Sequence, residues 1–239
     1  MRLAIVNPRK KAGDNSTTLA FAKTLVQRNK KVLIIDLDPL AHLTYELGIN
    51  YAKKTITDVL SWDEKLENVI IEAGDIDIVA SDIRLAAIEI SLAWTDNREI
   101  YLKTALDLLQ KQYDYVILNC TATLSFMTIN ALYACDVAIL PTDNIIKNKE
   151  ELDEEMAITL GACEELLGSR AVKVDNRSNV YEQFFTLVQQ KHRVLLLEQP
   201  IWTEETIEPV LVPVMVPSPV GKDIRPTQEI LLNYKIFLN

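Results

Sequence analysis

Glycine is scarce in this chain, six in 239 residues. A phosphate-binding loop here therefore departs from the usual glycine-rich composition. Histidine is limited to His42 and His192, which excludes a histidine-rich metal site. The three cysteines, Cys120, Cys135 and Cys163, have no CxxC spacing and no metal pattern, and fit reduced thiols of a cytoplasmic protein. No apolar run reaches the roughly 18–20 residues that span a bilayer, so no membrane insertion is expected. The first residues run directly into a strand-like stretch, and no signal peptide is expected. Basic residues are outnumbered, 25 Lys and Arg against 34 Asp and Glu, for a net charge of −9. That balance argues against a strongly basic nucleic-acid binder and leaves a local basic patch open.

What is present is one informative loop, NPRKKAGDNSTT, residues 7–18. The strand-type run Leu3-Ala4-Ile5-Val6 precedes it, and a stretch apolar at helical spacing follows from Leu19. Strand, small-residue loop and helix start form a phosphate-binding geometry, because the first free backbone N–H groups of a helix point at the loop. The standard loop is G-x-x-x-x-G-K-[ST]. Aligned on the hydroxyls, Lys10 stands at the first Gly, Asn15 at the second, Ser16 at the Lys and Thr17 at the magnesium-binding hydroxyl. The lysine that reaches the β- and γ-phosphates is missing. The plain alternative is a strand-to-helix turn with Asn15 or Ser16 as N-cap.

The length suits one large α/β domain or two small ones. The pattern predicts strands at 2–6, 32–35, 115–118 and 137–141, short strand pieces at 66–71 and 76–80, and further strands at 171–174 and 193–197. Helices are expected at 17–28, 40–47, 83–92, 97–112, 123–134, 150–167, 181–190 and 226–238, with another starting near 55. Strands alternating with helices, and runs such as Val32-Leu33-Ile34-Ile35 that read as buried on both faces, specify an α/β fold. It is a single doubly wound, mostly parallel sheet flanked by helices. No internal repeat or linker is visible, so 1–239 reads as one domain. Asp36 and Asp38 follow a buried strand at the edge where open α/β sheets bind ligands. Alternation puts both on one side if the strand persists that far, and the alternative is a helix cap and a solvated turn residue.

Several stretches together resemble the ParA/MinD family of deviant Walker-box ATPases, which position plasmids, chromosomes and other cargo. KAGDNSTT, residues 11–18, sits where that family has K-G-G-V-G-K-T-T. VLIIDLDP, residues 32–39, is nearly its second motif, and His42-Leu43-Thr44 to Gly48 continues it. TITDVL at 55–60 also fits. YDYVILNCTATLSFMTINALYACDVAILPT, residues 113–142, follows the family pattern through N-A-L to the next strand. The match runs in unbroken order to about Thr142.

The resemblance implies ATP or ADP with Mg2+ as cofactors. Lys11 takes the place of the signature lysine that reaches a partner's nucleotide, with Lys10 as an alternative. Thr17 matches the magnesium ligand, and Gly13, Asn15, Ser16 and Thr18 belong to the phosphate-binding loop. Asp38 matches the carboxylate that positions attacking water, Asp36 an outer-shell magnesium carboxylate, and Asn119 the position that orients the metal. Ser16 replaces the loop lysine, Asn119 replaces an aspartate, and Thr121-Ala122 replaces two prolines. Asp14 adds negative charge to the loop, for which Arg9, Lys10, Lys11, Lys147 or Lys149 could compensate. Losing one electrostatic group typically lowers rates ~10²–10³-fold, so hydrolysis is expected to be very slow or absent.

By resemblance the partners are a second copy in a homodimer, a ParB-like or other adaptor and weakly held non-specific DNA. The DNA contacts would rest on Lys191, Arg193, Lys222, Arg225 and Lys235. Localisation is expected to be cytoplasmic, with nucleoid association if DNA binding is retained. Pro200, Pro217 and Asn176 are candidates near the adenine. The competing reading is a nucleotide-free scaffold for protein interaction. An iron–sulfur reductase or an amide-forming synthetase on the same fold is a third, and the cysteine pattern speaks against the first of these.

Overall fold

The computed structural model describes residues 1–6, 14–92, 94–121, 123–142, 154–174 and 180–198. The loop core 7–13, the segment 143–153 and everything from 199 onward lie outside the described residues, including the helix expected at 226–238.

The strands are β1 (Arg2–Ile5), β2 (Val32–Asp36), β3 (Ile70–Ala73), β4 (Ile76–Val79), β5 (Tyr115–Asn119), β6 (Val137–Thr142), β7 (Ala171–Val174) and β8 (Val194–Glu198). They form one sheet in the order β3-β4-β2-β5-β1-β6-β8-β7. All pairings are parallel except β3–β4. β2 and β5 are buried at every residue, which is why they read as unbroken apolar runs.

The helices are α1 (Asp14–Gln27), α2 (His42–Glu46), α3 (Ile56–Leu60), α4 (Leu85–Leu92), α5 (Tyr101–Asp107), α6 (Phe126–Ala134), α7 (Glu154–Leu167) and α8 (Val180–Gln189). Strand alternation sends side chains to two separate cores. Ala4, Leu33, Ile35, Val116 and Leu118 pack with residues of α3–α7. Leu3, Ile5, Val32, Ile34 and Ile117 pack with α1, α2 and α8, where Phe21 and Phe184 meet edge to face at 5.6 Å. Both faces are thus covered, as a doubly wound sheet requires.

Four elements differ from the expectation. α1 starts at Asp14, so Asn15 and Ser16 lie within the helix and neither is its N-cap. The segment 97–112 forms a 3-10 turn, Arg98–Ile100, and then the short α5, which gives way after Asp107. Residues 66–69 are a 3-10 turn, and β3 runs back along β4 as an antiparallel edge hairpin, with Gly74 at φ +67° in its turn. α6 starts at Phe126, where the Ser125 hydroxyl accepts from the N–H groups of Met127 and Thr128.

A polar clasp closes the sheet's β4 end. The Thr55 hydroxyl and the Asp58 carboxylate form a capping box at the start of α3. Arg84 forks onto both Asp58 oxygens, at 3.1 and 2.9 Å, and donates to Asp82 at 2.7 Å. Despite desolvation, the Arg84 hydrogen bonds hold both carboxyls below their usual range. The Arg84 side chain is half-exposed and solvent screens it, so the clasp is worth roughly 1 kcal/mol. We expect Arg84→Met to lose about that much in urea unfolding at pH 7. Lowered carboxylate values contribute stability above the unfolded pKa that is lost on acidification. The difference between the two proteins should therefore vanish as the pH falls below about 4.

Candidate functional site

Register brings three strand ends level. Ile5 of β1 and Asp36 of β2 both pair with Asn119 of β5, and the N-terminal half of α1 covers the same edge. This is the carboxyl edge, where open α/β sheets place ligands.

Asp36 is fully buried there. Its two carboxylate oxygens accept four hydrogen bonds. Oδ1 takes the Asp38 N–H at 3.2 Å and the Asn119 amide Nδ2 at 3.2 Å. Oδ2 takes the Thr44 N–H at 3.1 Å and the Thr44 hydroxyl at 2.7 Å. Thr44 Oγ1 in turn accepts from the Ser81 N–H at 3.1 Å. Burial pushes the Asp36 carboxyl up to about 6, and these hydrogen bonds only partly offset it.

Asn119 is the hub on the other side. Its Oδ1 accepts from the Thr18 hydroxyl at 2.7 Å, while Nδ2 also reaches Asn15 Oδ1 at 3.4 Å. Asn15 and Thr18 are three apart on α1, so one face of the helix meets the Asn119 amide. Asn15 also donates to Glu46 at 3.2 Å. An aspartate at 119 would put a second carboxylate beside Asp36; the amide supplies a donor instead.

Thr17 is fully buried, and its hydroxyl has no hydrogen-bond partner among the described residues. A buried, unpaired hard oxygen at this edge fits a divalent-cation ligand. Asp36 and Asn119 have their polar atoms engaged by protein donors and acceptors. Asp38 lies beyond the end of the strand. Its Oδ1 accepts from the Leu40 N–H at 3.0 Å, and Oδ2 lies 3.8 Å from His42 Nδ1. Its side chain thus serves the turn, and only its N–H joins the Asp36 cluster. Ser16 is partly buried on the first turn of α1.

Lys11 and Gly13 lie outside the described residues, as do Arg9, Lys10, Lys147, Lys149, Asn176, Pro200, Pro217, Lys222, Arg225 and Lys235. Lys191 and Arg193 are exposed and line one cavity with Met1 and Asp136 at the opposite, amino edge of the sheet. Thr44 and Ser81 are residues that sequence reasoning did not single out. For Thr44 the available signal was its place in the stretch continuing the second motif; Ser81 offered none.

An AAA domain family matches residues 2–151. The sporulation initiation inhibitor protein Soj of Bacillus subtilis is 34% identical over 143 residues, 58% of this chain and 56% of that protein. The chromosome partitioning protein ParA of Caulobacter vibrioides is 30% identical over 145 residues, 58% and 54% of the two chains. The chain spans about half the length of the curated relatives it matches. Among solved structures, a cobyrinic acid a,c-diamide synthase from Mycobacterium smegmatis with bound ATP analog and magnesium superposes with TM-score 0.66 at 22% identity, covering 84% of this chain and 86% of that one. A plasmid partition protein from Borrelia burgdorferi gives TM-score 0.63 at 22% identity, covering 87% and 92%. At that identity both show the fold alone.

Two outcomes follow from the Asp36–Asn119 contact. A carboxyl raised on folding loses stability as the pH climbs from its unfolded value through its folded one. Between pH 4 and pH 7 we expect wild type to lose roughly 2 kcal/mol relative to Asp36→Asn, read by urea unfolding at each pH. Asn119→Asp should be destabilised at pH 7 by roughly 2–4 kcal/mol through like-charge repulsion and the lost donor. Millimolar magnesium should raise its melting temperature more than that of wild type.

Proposed function

This chain belongs to the ParA/MinD family, and on that premise we propose that it is a partition or positioning protein with a slowed nucleotide switch. It keeps the frame for a magnesium-bound adenine nucleotide and lacks two of the charges for rapid turnover. The observation that carries this reading is the Thr17 hydroxyl, buried at the carboxyl edge and without a partner among the described residues.

In this reading Thr17 supplies the direct oxygen ligand. Asp36 lies behind it, and Asn119 holds Asp36 and Thr18 in place. Backbone N–H groups from Gly13 to Thr18 take the phosphates, and the α1 amino end adds its dipole. Asp38 would orient the attacking water, and Lys11 would reach a partner's nucleotide across a homodimer. The chemistry magnesium supplies there is charge neutralisation between phosphate oxygens. Ser16 removes a positive charge from the phosphates, and Asn119 removes a negative one from around the metal. With ~10²–10³ in rate typical for each such group, turnover is very slow. A state that forms on binding and persists would suit a protein that marks a position through a ParB-like or other adaptor. Lys191 and Arg193, together at the opposite edge, would give non-specific DNA contacts without crowding the nucleotide.

A second reading, a nucleotide-free scaffold, draws on the Asp36 carboxylate, whose oxygens are fully engaged by protein donors. Titration with ATP and magnesium, followed by calorimetry and light scattering, separates the two. We expect binding in the range ~1 μM–1 mM with a shift from monomer to dimer mass. Thr17→Val should leave the melting temperature unchanged or slightly higher, since the buried hydroxyl has no partner among the described residues to lose. It should weaken binding at least tenfold. No heat and no mass change for wild type at millimolar ATP would favour the scaffold.

A further inference from the structure

The groove with the clearest chemistry outside the nucleotide site lies between the exit of α3 and the end of α5. It is a cavity of about 710 Å³. Its floor is Val59, Leu66 and Ala105, all buried, and its walls are Trp62 and Leu108, 54% and 66% exposed. Among the described lining residues Asp63, Glu64 and Glu67 stand on the rim with one basic neighbour, Lys65. Glu64 is paired with Lys54, and Glu67 is held below its usual carboxylate range, chiefly by the Gln110 N–H. Asp63, exposed, and Glu67, half-buried, thus lie beside the two apolar walls.

Trp62 holds an unusual position. The Trp62 N–H donates to the Val59 carbonyl at 3.0 Å and the Asp63 N–H to the Asp58 carbonyl at 3.0 Å. This is the Schellman pattern that ends a helix, and its left-handed residue is ordinarily Gly or Asn. Here that residue is Trp62, at φ +62°, with its ring 5.4 Å from Tyr101. A bulky aromatic in this conformation is strained. Folding alone would be served by glycine, whereas the tryptophan places a half-exposed ring on the lip of an apolar cavity. Aromatic anchors beside a desolvated pocket are what protein interfaces concentrate.

We propose that this groove docks a partner segment that inserts an apolar side chain between cationic residues. The occupant is set by complementarity: the floor and walls take the apolar group, and Asp63 and Glu67 take the flanking charges. The groove is built from residues other than those of the nucleotide site, so either reading survives failure of the other.

A fluorescent amphipathic peptide of leucine and lysine tests this, against a leucine–glutamate peptide of the same spacing, by anisotropy on the full chain. We expect the lysine peptide to bind and the glutamate peptide not to. Trp62→Gly, Leu108→Glu and the pair Asp63→Lys with Glu67→Lys should each weaken binding at least tenfold. Trp62→Gly relieves the left-handed strain, so its melting temperature should stay close to wild type. Leu108→Ala serves as a milder second variant. Glu72→Lys, a charge reversal on the exposed face of β3, should leave affinity within twofold. Absence of binding, preference for the glutamate peptide, undiminished binding to the groove variants, or equal weakening by Glu72→Lys would each overturn the proposal.

Discussion

A carboxylate with no exposed surface, Asp36, is the constraint around which the polar framework of this structure is arranged. Asp36 sits at the end of a strand buried on both faces, where an uncompensated charge would be prohibitive. Its four donors come from the turn after β2, the start of α2 and the end of β5. Through Thr44 it holds the Ser81 backbone at the exit of β4, and through Asn119 it holds Thr18 of α1. One ionisable group therefore ties together α2, the exits of β2, β4 and β5, and the first turns of α1. A buried network of this kind is stable when every member is satisfied and fragile when one is lost.

That dependence gives the change at 119 a physical sense. A carboxylate there would need a cation between it and Asp36 to be tolerated. The amide needs none, since one end donates to Asp36 and the other accepts from Thr18. Both side chains are thereby satisfied without a metal, and the Thr17 hydroxyl is buried with no partner among the described residues. Ser16 makes the matching change on the phosphate side. In the proposed reading the two substitutions compensate in charge, and together they trade catalytic field for a settled resting site.

Most of the fold was legible because strand burial here is extreme. Runs such as Val32–Asp36 and Tyr115–Asn119 carry the parallel-sheet signature without interruption. Helix bounds were less legible where tertiary contacts overrule local pattern. α1 gains a turn before Thr17, and Asn15 is drawn into the Asn119 cluster. The helix expected to reach Gln112 gives way after Asp107, and the Gln110 N–H beyond it turns to Glu67, a side chain distant in sequence. The Asp36–Asp38 pair was visible as chemistry, yet the separation of its roles was not: the strand ends at Asp36, and Asp38 turns to the Leu40 N–H. Thr44 was signalled only by its place in the stretch continuing the second motif, since a buried threonine that braces a carboxylate looks locally like one that fills space.

The central claim is that Ser16 and Asn119 together set the pace of turnover on an otherwise intact frame. Single-turnover hydrolysis of radiolabelled ATP with protein in excess tests it most directly, comparing wild type with the double variant Ser16→Lys and Asn119→Asp. The account predicts that the double variant gains at least ~10² in rate from the restored groups and exceeds both single variants. Equal rates for wild type and the double variant, or wild-type hydrolysis as fast as the restored protein, would contradict it.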